Sequence, residues 1–209
     1  MRSPAIPAGL LLLLLLPAAP AAGQARLELG ALAGVYAPLG SFDDGAYSTT
    51  GLPQDPADLA GLALGAAGRG WFGPRFGVQL AGMLAPSRVG GGAAPGGLQP
   101  GRAARVFSAS AQLLVRVSPS AAPVRVWLGA GPGLVRHGGE AYAPYGHPTR
   151  MAAVVSVGAA LPVARRLDLQ AGLTTLAYRF SLRDRNGTQL EHGGQIDALL
   201  QGGVSWRLR

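Results

Sequence analysis

From Arg26 to Arg209 the chain repeats one pattern about eight times: some ten residues alternating between an apolar face and a face of Gly, Ser, Gln and Arg. In RLELGALAGVYAPLG the odd positions are Leu27, Leu29, Ala31, Ala33, Val35, Ala37 and Leu39, while the even ones include Glu28, Gly30, Gly34 and Tyr36. A period of two belongs to β-strands, whose successive side chains point to opposite sides. Ten-residue alternating segments separated by turn residues are the pattern of a small β-barrel that crosses a membrane.

The N-terminus reads as a secretory signal peptide. Arg2 supplies the positive start, Leu10 to Leu16 is an unbroken leucine run, and small residues follow through PAAPAAGQA. A bilayer-spanning helix needs about 20 apolar residues, so this run is too short to be an anchor. The expected division is a cleaved signal peptide over residues 1–25, cut after Ala25 with Gly23 as second choice, and one barrel domain over 26–209. No cysteine is present, so no disulfide framework supports the fold.

All the basic residues are arginine, and residues 26–209 carry seventeen of them against ten Asp and Glu, a net charge near +7. In a soluble chain this balance would point to nucleic acid. Here the arginines form no run with interleaved aromatics, and the chain is expected to be exported, so no nucleic-acid partner is expected. Anionic lipid fits better.

Eight strands are expected: Leu27 to Leu39, Leu59 to Phe72, Phe76 to Ala85, Val106 to Val117, Val124 to Val135, Met151 to Leu161, Leu167 to Phe180 and Gln195 to Leu208. The connections alternate in length. Those after the second, fourth and sixth strands are short: GPR, SPSAAP and PVARR. Those after the first, third, fifth and seventh are expected to be long, roughly 14 to 20 residues, and are rich in Gly, Pro, Asp and His. One end of the barrel thus carries turns and the other loops, as in barrels with periplasmic turns and extracellular loops; an even strand count places both termini on the turn side.

Alternation alone leaves the phase open. A lipocalin-like soluble barrel would turn the leucines inward. Three features favour leucines facing lipid: a polar face of Gly, Ala, Ser and Gln rather than Lys and Glu, the loop asymmetry, and aromatics near strand ends. These are Phe72, Phe76 and Trp206 on the turn side and Phe107, Tyr178 and Phe180 toward the loops, where they would form interfacial girdles. Leu29, Leu62, Leu80, Leu113, Leu128, Val155, Leu173 and Leu200 are then expected to face hydrocarbon.

VRVWLGAGPGLVR at Val124 to Arg136 and LDLQAGLTTLAYRF at Leu167 to Phe180 resemble strands of exported barrel proteins, and the whole segment from residue 26 resembles the bacterial outer-membrane β-barrel superfamily of small eight-stranded proteins, the OmpA/OmpX type. The resemblance implies an all-β, eight-stranded antiparallel up-and-down transmembrane barrel in a bacterial outer membrane. Outer-membrane lipid, lipopolysaccharide and the outer-membrane insertion machinery are its implied partners, and a monomer its implied state. One departure is the sequence VSWRLR, where such barrels commonly finish on an aromatic read by that machinery.

Catalytic and metal chemistry find little purchase. Barrel enzymes that modify lipid A need a nucleophile with a histidine base and an orienting acid. His137, His147 and His192 all fall in expected loops, and Ser108, Ser110 and Ser156 are read as lumen fillers. No ligand spacing suggests zinc, even with Glu140 and Glu191 included, so neither metal nor cofactor is expected. Asn186-Gly187-Thr188 matches a glycosylation sequon but suits a turn. GAGPG at Gly129 to Gly133 lacks the lysine and helix of a phosphate loop and is read as close-packed strand.

Two sets of charged residues carry more meaning. Arg88, Arg102, Arg105, Arg136, Arg150, Arg179, Arg183 and Arg185 lie in or beside the long loops, where guanidinium forks could hold lipopolysaccharide phosphates. Glu28, Arg69, Arg116, Arg125, Asp168 and Arg207 fall on the inward face in the turn-side half, with Glu28 within expected reach of Arg207. Unpaired charge in a narrow interior is costly, so these six are expected to form a paired network that plugs that half. The loop-side half, lined by Gly34, Gly61, Gln79, Ser108 and Ser156 with Asp197 as its inward acid, is the expected place for a small cavity. The expected role is a non-enzymatic surface barrel presenting loops; the alternative is a narrow path for small hydrophobic molecules or ions.

Overall fold

The computed structural model describes residues 26–39, 60–89, 93–94, 97–98, 102–119, 121–145, 149–183 and 189–208. Residues 1–25, where a signal peptide is expected, and His147 lie outside them. The elements are β1 (Arg26–Pro38), β2 (Gly61–Phe72), β3 (Phe76–Val89), β4 (Ala93–Ala94), β5 (Gly97–Leu98), β6 (Arg102–Arg116), β7 (Arg125–Gly139), a 3-10 helix (Glu140–Tyr145), β8 (Thr149–Pro162), β9 (Leu167–Arg183) and β10 (Gln189–Arg207). The eight long strands close in the order β1-β10-β9-β8-β7-β6-β3-β2, each antiparallel to both neighbours, while β4 and β5 pair only with each other. Closure is made by β1 against β10, with Glu28 opposite Arg207 and Pro38 opposite Asp197.

The eight expected strands are found; six of them run further toward the loop side than alternation indicates, while β1 and β2 stop one and two residues short of it. β3 continues to Val89, β6 begins at Arg102, β7 reaches Gly139 and β10 begins at Gln189. The seventh connection, expected to be long, is only residues 184–188. The reason is physical: past the hydrocarbon edge both faces of a strand can be polar, so the period-two signal fades while the backbone ladder continues. Arg183 still pairs with Gln189, through a register shift between Gln189 and Glu191.

The leucine-outward phase holds. Leu62 is 74% exposed and Leu113 71%, and Leu29, Leu80, Leu128, Val155, Leu173 and Leu200 are exposed with them. Their neighbours on the same strands, among them Ala63, Gln79, Gln112, Trp127, Val154, Thr174 and Leu199, are buried inside. An apolar belt running around a whole barrel would aggregate in water and belongs in hydrocarbon. Phe76, Trp206 and Phe107 are exposed on the wall as interfacial girdles require. Tyr178 is a correction: it lies on the inward parity of β9 and is buried.

Two glycines show how tightly this wall is drawn. The β6–β7 ladder passes from Ser110 opposite Gly133 to Leu113 opposite Ala130, skipping the stretch that contains Pro132. Proline has no N–H to give, and the ladder gives way there. Gly131 sits beside the Ala111 carbonyl, and a Cβ on it would fall 2.9 Å from the Gln112 Cα. Gly158 leaves room for the Trp127 indole, since a Cβ there would fall 2.8 Å from Nε1.

Two substitutions test this wall. Leu113→Arg should cost about 2 to 4 kcal/mol of folding free energy in lipid vesicles, whereas Ala121→Arg in the β6–β7 turn should leave it nearly unchanged. Gly158→Val should cost about 1 to 3 kcal/mol by driving Trp127 out of place. Equilibrium unfolding in urea measures both.

Candidate functional site

The interior is the candidate site, and it is built in three layers. The turn-side layer is ionic. Glu28, at the start of β1, receives Arg125 Nη1 at 3.0 Å and Arg69 Nη1 at 3.5 Å. Arg125 also donates to Asp168 at the start of β9, and Arg207 Nε lies 3.4 Å from the same Asp168 oxygen. Glu28 and Asp168 are both buried, so the two carboxylates serve three guanidinium groups contributed by β2, β7 and β10.

Aromatic rings hold the remaining positive charge. The Arg69 guanidinium stacks 4.3 Å from the centroid of Trp127, and Arg116 stacks 4.5 Å from that of Trp71. The two indoles meet edge to face at 6.3 Å. A cation over an indole face is favourable, more so when desolvated. Arg116 is thus held by Trp71, and no ion pair ties it to the carboxylates among the described contacts. Arg207 is opposite Glu28 in the ladder, yet its side chain turns to Asp168 and donates to the Ala164 carbonyl at 2.9 Å.

The middle layer is amide and hydroxyl. Arg69 donates to Gln79 Oε1 at 2.6 Å and to Gln170, whose Nε2 donates to the Val204 carbonyl at 3.3 Å. Ser156 donates to Gln112 Oε1 at 2.5 Å, and Gln112 Nε2 donates to Ser110 Oγ at 2.9 Å. Gln79 and Ser156, expected on the loop side of the lumen, therefore belong to this layer. Two small voids flank it, each about 10 Å³; Arg69, Gln170 and Ser156 line one, and Ser110, Gln112 and Gln201 the other. Each has room for about one water molecule.

The second void reaches into the loop-side layer, where Met83, Ser108, Leu176 and Leu199 join its lining. That layer is built from Tyr36, Met83, Val106, Val154, Leu176 and Leu199, with Tyr142 of the 3-10 helix and Tyr178. Around Asp197 the donors converge: Tyr36 Oη at 2.7 Å and Tyr178 Oη at 2.8 Å on one oxygen, Gln195 Nε2 at 2.8 Å on the other. A buried carboxylate accepts several such bonds, and here each oxygen has at least one. His137, expected in a solvated loop, is instead a buried residue of β7, its Nε2 3.4 Å from Tyr178 Oη and its ring 5.2 Å from that of Tyr142. Its parity is that of Trp127 and Val135, but the apolar alternation that would carry this signal fades at Val135.

The loop-side arginines are spread around the rim. Arg105 on β6, Arg136 on β7 and Arg179 on β9 are exposed, and Arg150 on β8 is half-buried and donates to the Thr149 carbonyl at 3.2 Å. Arg88, Arg102 and Arg183 belong to strands β3, β6 and β9, with their side chains outside the described residues, as is all of Arg185.

The layers make distinct predictions. Asp168→Ala leaves Arg125 and Arg207 short of a carboxylate and should cost about 3 kcal/mol in lipid. Asp55→Ala, in the β1–β2 connection, should stay within about 0.5 kcal/mol. Tyr178→Phe removes one donor from Asp197 and should cost about 1 to 3 kcal/mol. Urea unfolding of each variant in vesicles measures the differences.

No protein-family model and no curated protein matches the sequence. Solved structures do match the fold. Neisserial surface protein A aligns over 89% of this chain and 100% of its own at 15% identity, TM-score 0.53. The outer membrane protein OprG from Pseudomonas aeruginosa aligns over 88% and 96% at 9% identity, TM-score 0.58. A major outer membrane protein from Thermus thermophilus aligns over 89% and 100% at 16% identity, TM-score 0.54. With its closed eight-stranded antiparallel barrel and its apolar outer wall, the chain has the fold of the small outer-membrane β-barrel proteins.

Proposed function

We propose that this chain is a non-enzymatic, closed barrel of a bacterial outer membrane, with turns in the periplasm and loops outside, whose role is structural or surface-interactive. The observation that supports the reading is the way side chains line the interior along its length. Ions cross only through a continuous wet path, and here an ionic layer, an amide layer and a tyrosine layer follow one another along the axis. Eight strands enclose a space just wide enough for side chains or one small ligand, and these side chains occupy it. The three matched proteins are themselves surface or outer-membrane proteins.

The chemistry of the interior supports the same reading. Catalysis needs a nucleophile, a base and room for substrate at one place. Ser110 and Ser156 are engaged by Gln112, and His137 is enclosed by Tyr142 and Tyr178. On the loop-side rim Arg105, Arg136 and Arg179 are exposed, and their guanidinium forks suit lipopolysaccharide phosphates.

Purified barrel in planar bilayers should therefore give no steady current above the bare membrane. Asp168→Ala should stay silent as well, because the tyrosine layer still closes the other half. A stable single-channel conductance in the unmodified protein would replace this reading with the transport one.

A further inference from the structure

The net charge of the barrel sits at one end. On the turn side lie Arg26, Arg69, Arg75, Arg116, Arg125, Arg165, Arg166 and Arg207, with Arg209 beyond β10, against only Glu28 and Asp168. The loop-side strand halves and connections carry eight arginines against eight acids. The whole excess of seven positive charges therefore belongs to the turn side.

These arginines are also spread around the circumference. The exposed ones are Arg75 in the β2–β3 turn, Arg165 and Arg166 in the β8–β9 turn and Arg26 at the seam of β1 and β10, whereas Arg116, Arg125 and Arg207 turn inward to Trp71, Glu28 and Asp168. Three of the four turn-side joints thus present exposed arginine among the described residues. A compact ligand would call for a cluster on one sector, whereas a ring of charge at one height matches a plane of anions.

The height is set by the wall. Arg75 directly precedes Phe76, which is 61% exposed, and Arg165 and Arg166 follow within three residues of the exposed Val163. At about 3.3 Å per residue these positions reach roughly 3 to 10 Å past the hydrocarbon edge. A phospholipid headgroup layer occupies roughly the first 5 to 8 Å there. Arg75, Arg165 and Arg166 are themselves exposed, with their guanidinium groups available to phosphate.

We infer that the turn-side rim is a docking ring for anionic phospholipid headgroups, selecting the acidic lipids of the leaflet into which the turns project. This inference rests on the membrane reading above and adds a lipid preference at the end opposite to the lipopolysaccharide-facing loops. The ring fixes the depth of the barrel through net charge at one face, while the loop side carries no net charge.

The test uses the full barrel folded into vesicles of phosphatidylcholine and phosphatidylglycerol at about 4:1, with spin-labelled versions of each lipid reporting the fraction immobilised at the protein. Phosphatidylglycerol should be enriched severalfold at low salt and lose most of that enrichment at about 1 M salt. The triple variant Arg75→Gln, Arg165→Gln, Arg166→Gln should lose the enrichment and still fold. The triple Arg105→Gln, Arg136→Gln, Arg179→Gln should keep it. Equal enrichment in both triples, or its loss only in the loop-side one, overturns the inference while leaving the barrel reading intact. Retention of lipid enrichment in the turn-side triple with weakened binding of a soluble acidic muropeptide overturns it in favour of a cell-wall partner. A chain that stays in the aqueous phase overturns both.

Discussion

Hydrocarbon offers a backbone no hydrogen-bond partner, and each unsatisfied N–H or C=O there costs several kcal/mol. A strand can cross only if its neighbours on both sides satisfy it, and a sheet can cross only if it has no edge. The β1–β10 ladder, running from Glu28 opposite Arg207 to Pro38 opposite Asp197, is therefore the contact on which everything else depends. Closure then forces the division of side chains: one parity meets lipid and the other is confined in a tube only eight strands around. The interruption at Pro132 shows the constraint from the other side, since proline can sit in the ladder only where the pairing yields.

Confinement explains the interior. Leucine outside gains nothing from partner choice, because lipid tails are as apolar as leucine. Inside, each charge needs an answer, and the tube supplies three kinds: carboxylates for Arg125 and Arg207, an indole face for Arg116, and both a carboxylate and an indole face for Arg69. On the loop side the answer is reversed, with hydroxyl and amide donors gathered around Asp197. The two ends are thus lined by opposite chemistry, arginine-rich at the turns and acid-centred toward the loops.

Parity is readable from the sequence because it is a local property. Gln112 and Leu113, or Asp168 and Leu169, fall on opposite faces whatever the rest of the chain does. Distance across the tube is not local. That Glu28 meets Arg69 and Arg125 while Arg207, its ladder partner, turns to Asp168 depends on which side chains reach across an interior shared by eight strands. The strand ends are hidden for a different reason: beyond the membrane the alternation has no solvent contrast to express. The expectation of a loop at His137 fails for that reason alone. Tyr178 is the opposite case, since its parity on β9 already points inside and the expectation of an aromatic girdle runs against that signal.

The claim that the interior is closed by packed side chains is tested most directly by thiol labelling along β6. The chain has no cysteine, so single substitutions at Ser108, Ser110, Gln112 and Leu114 on the inward parity, and at Phe107, Ala111, Leu113 and Val115 on the outward one, report without background. A small charged methanethiosulfonate should label neither set in the folded barrel in vesicles, while a cysteine at Ala121 in the turn reacts at once and denaturation exposes every site. Rapid labelling of the inward set alone would mean a water-filled lumen, and would contradict the account.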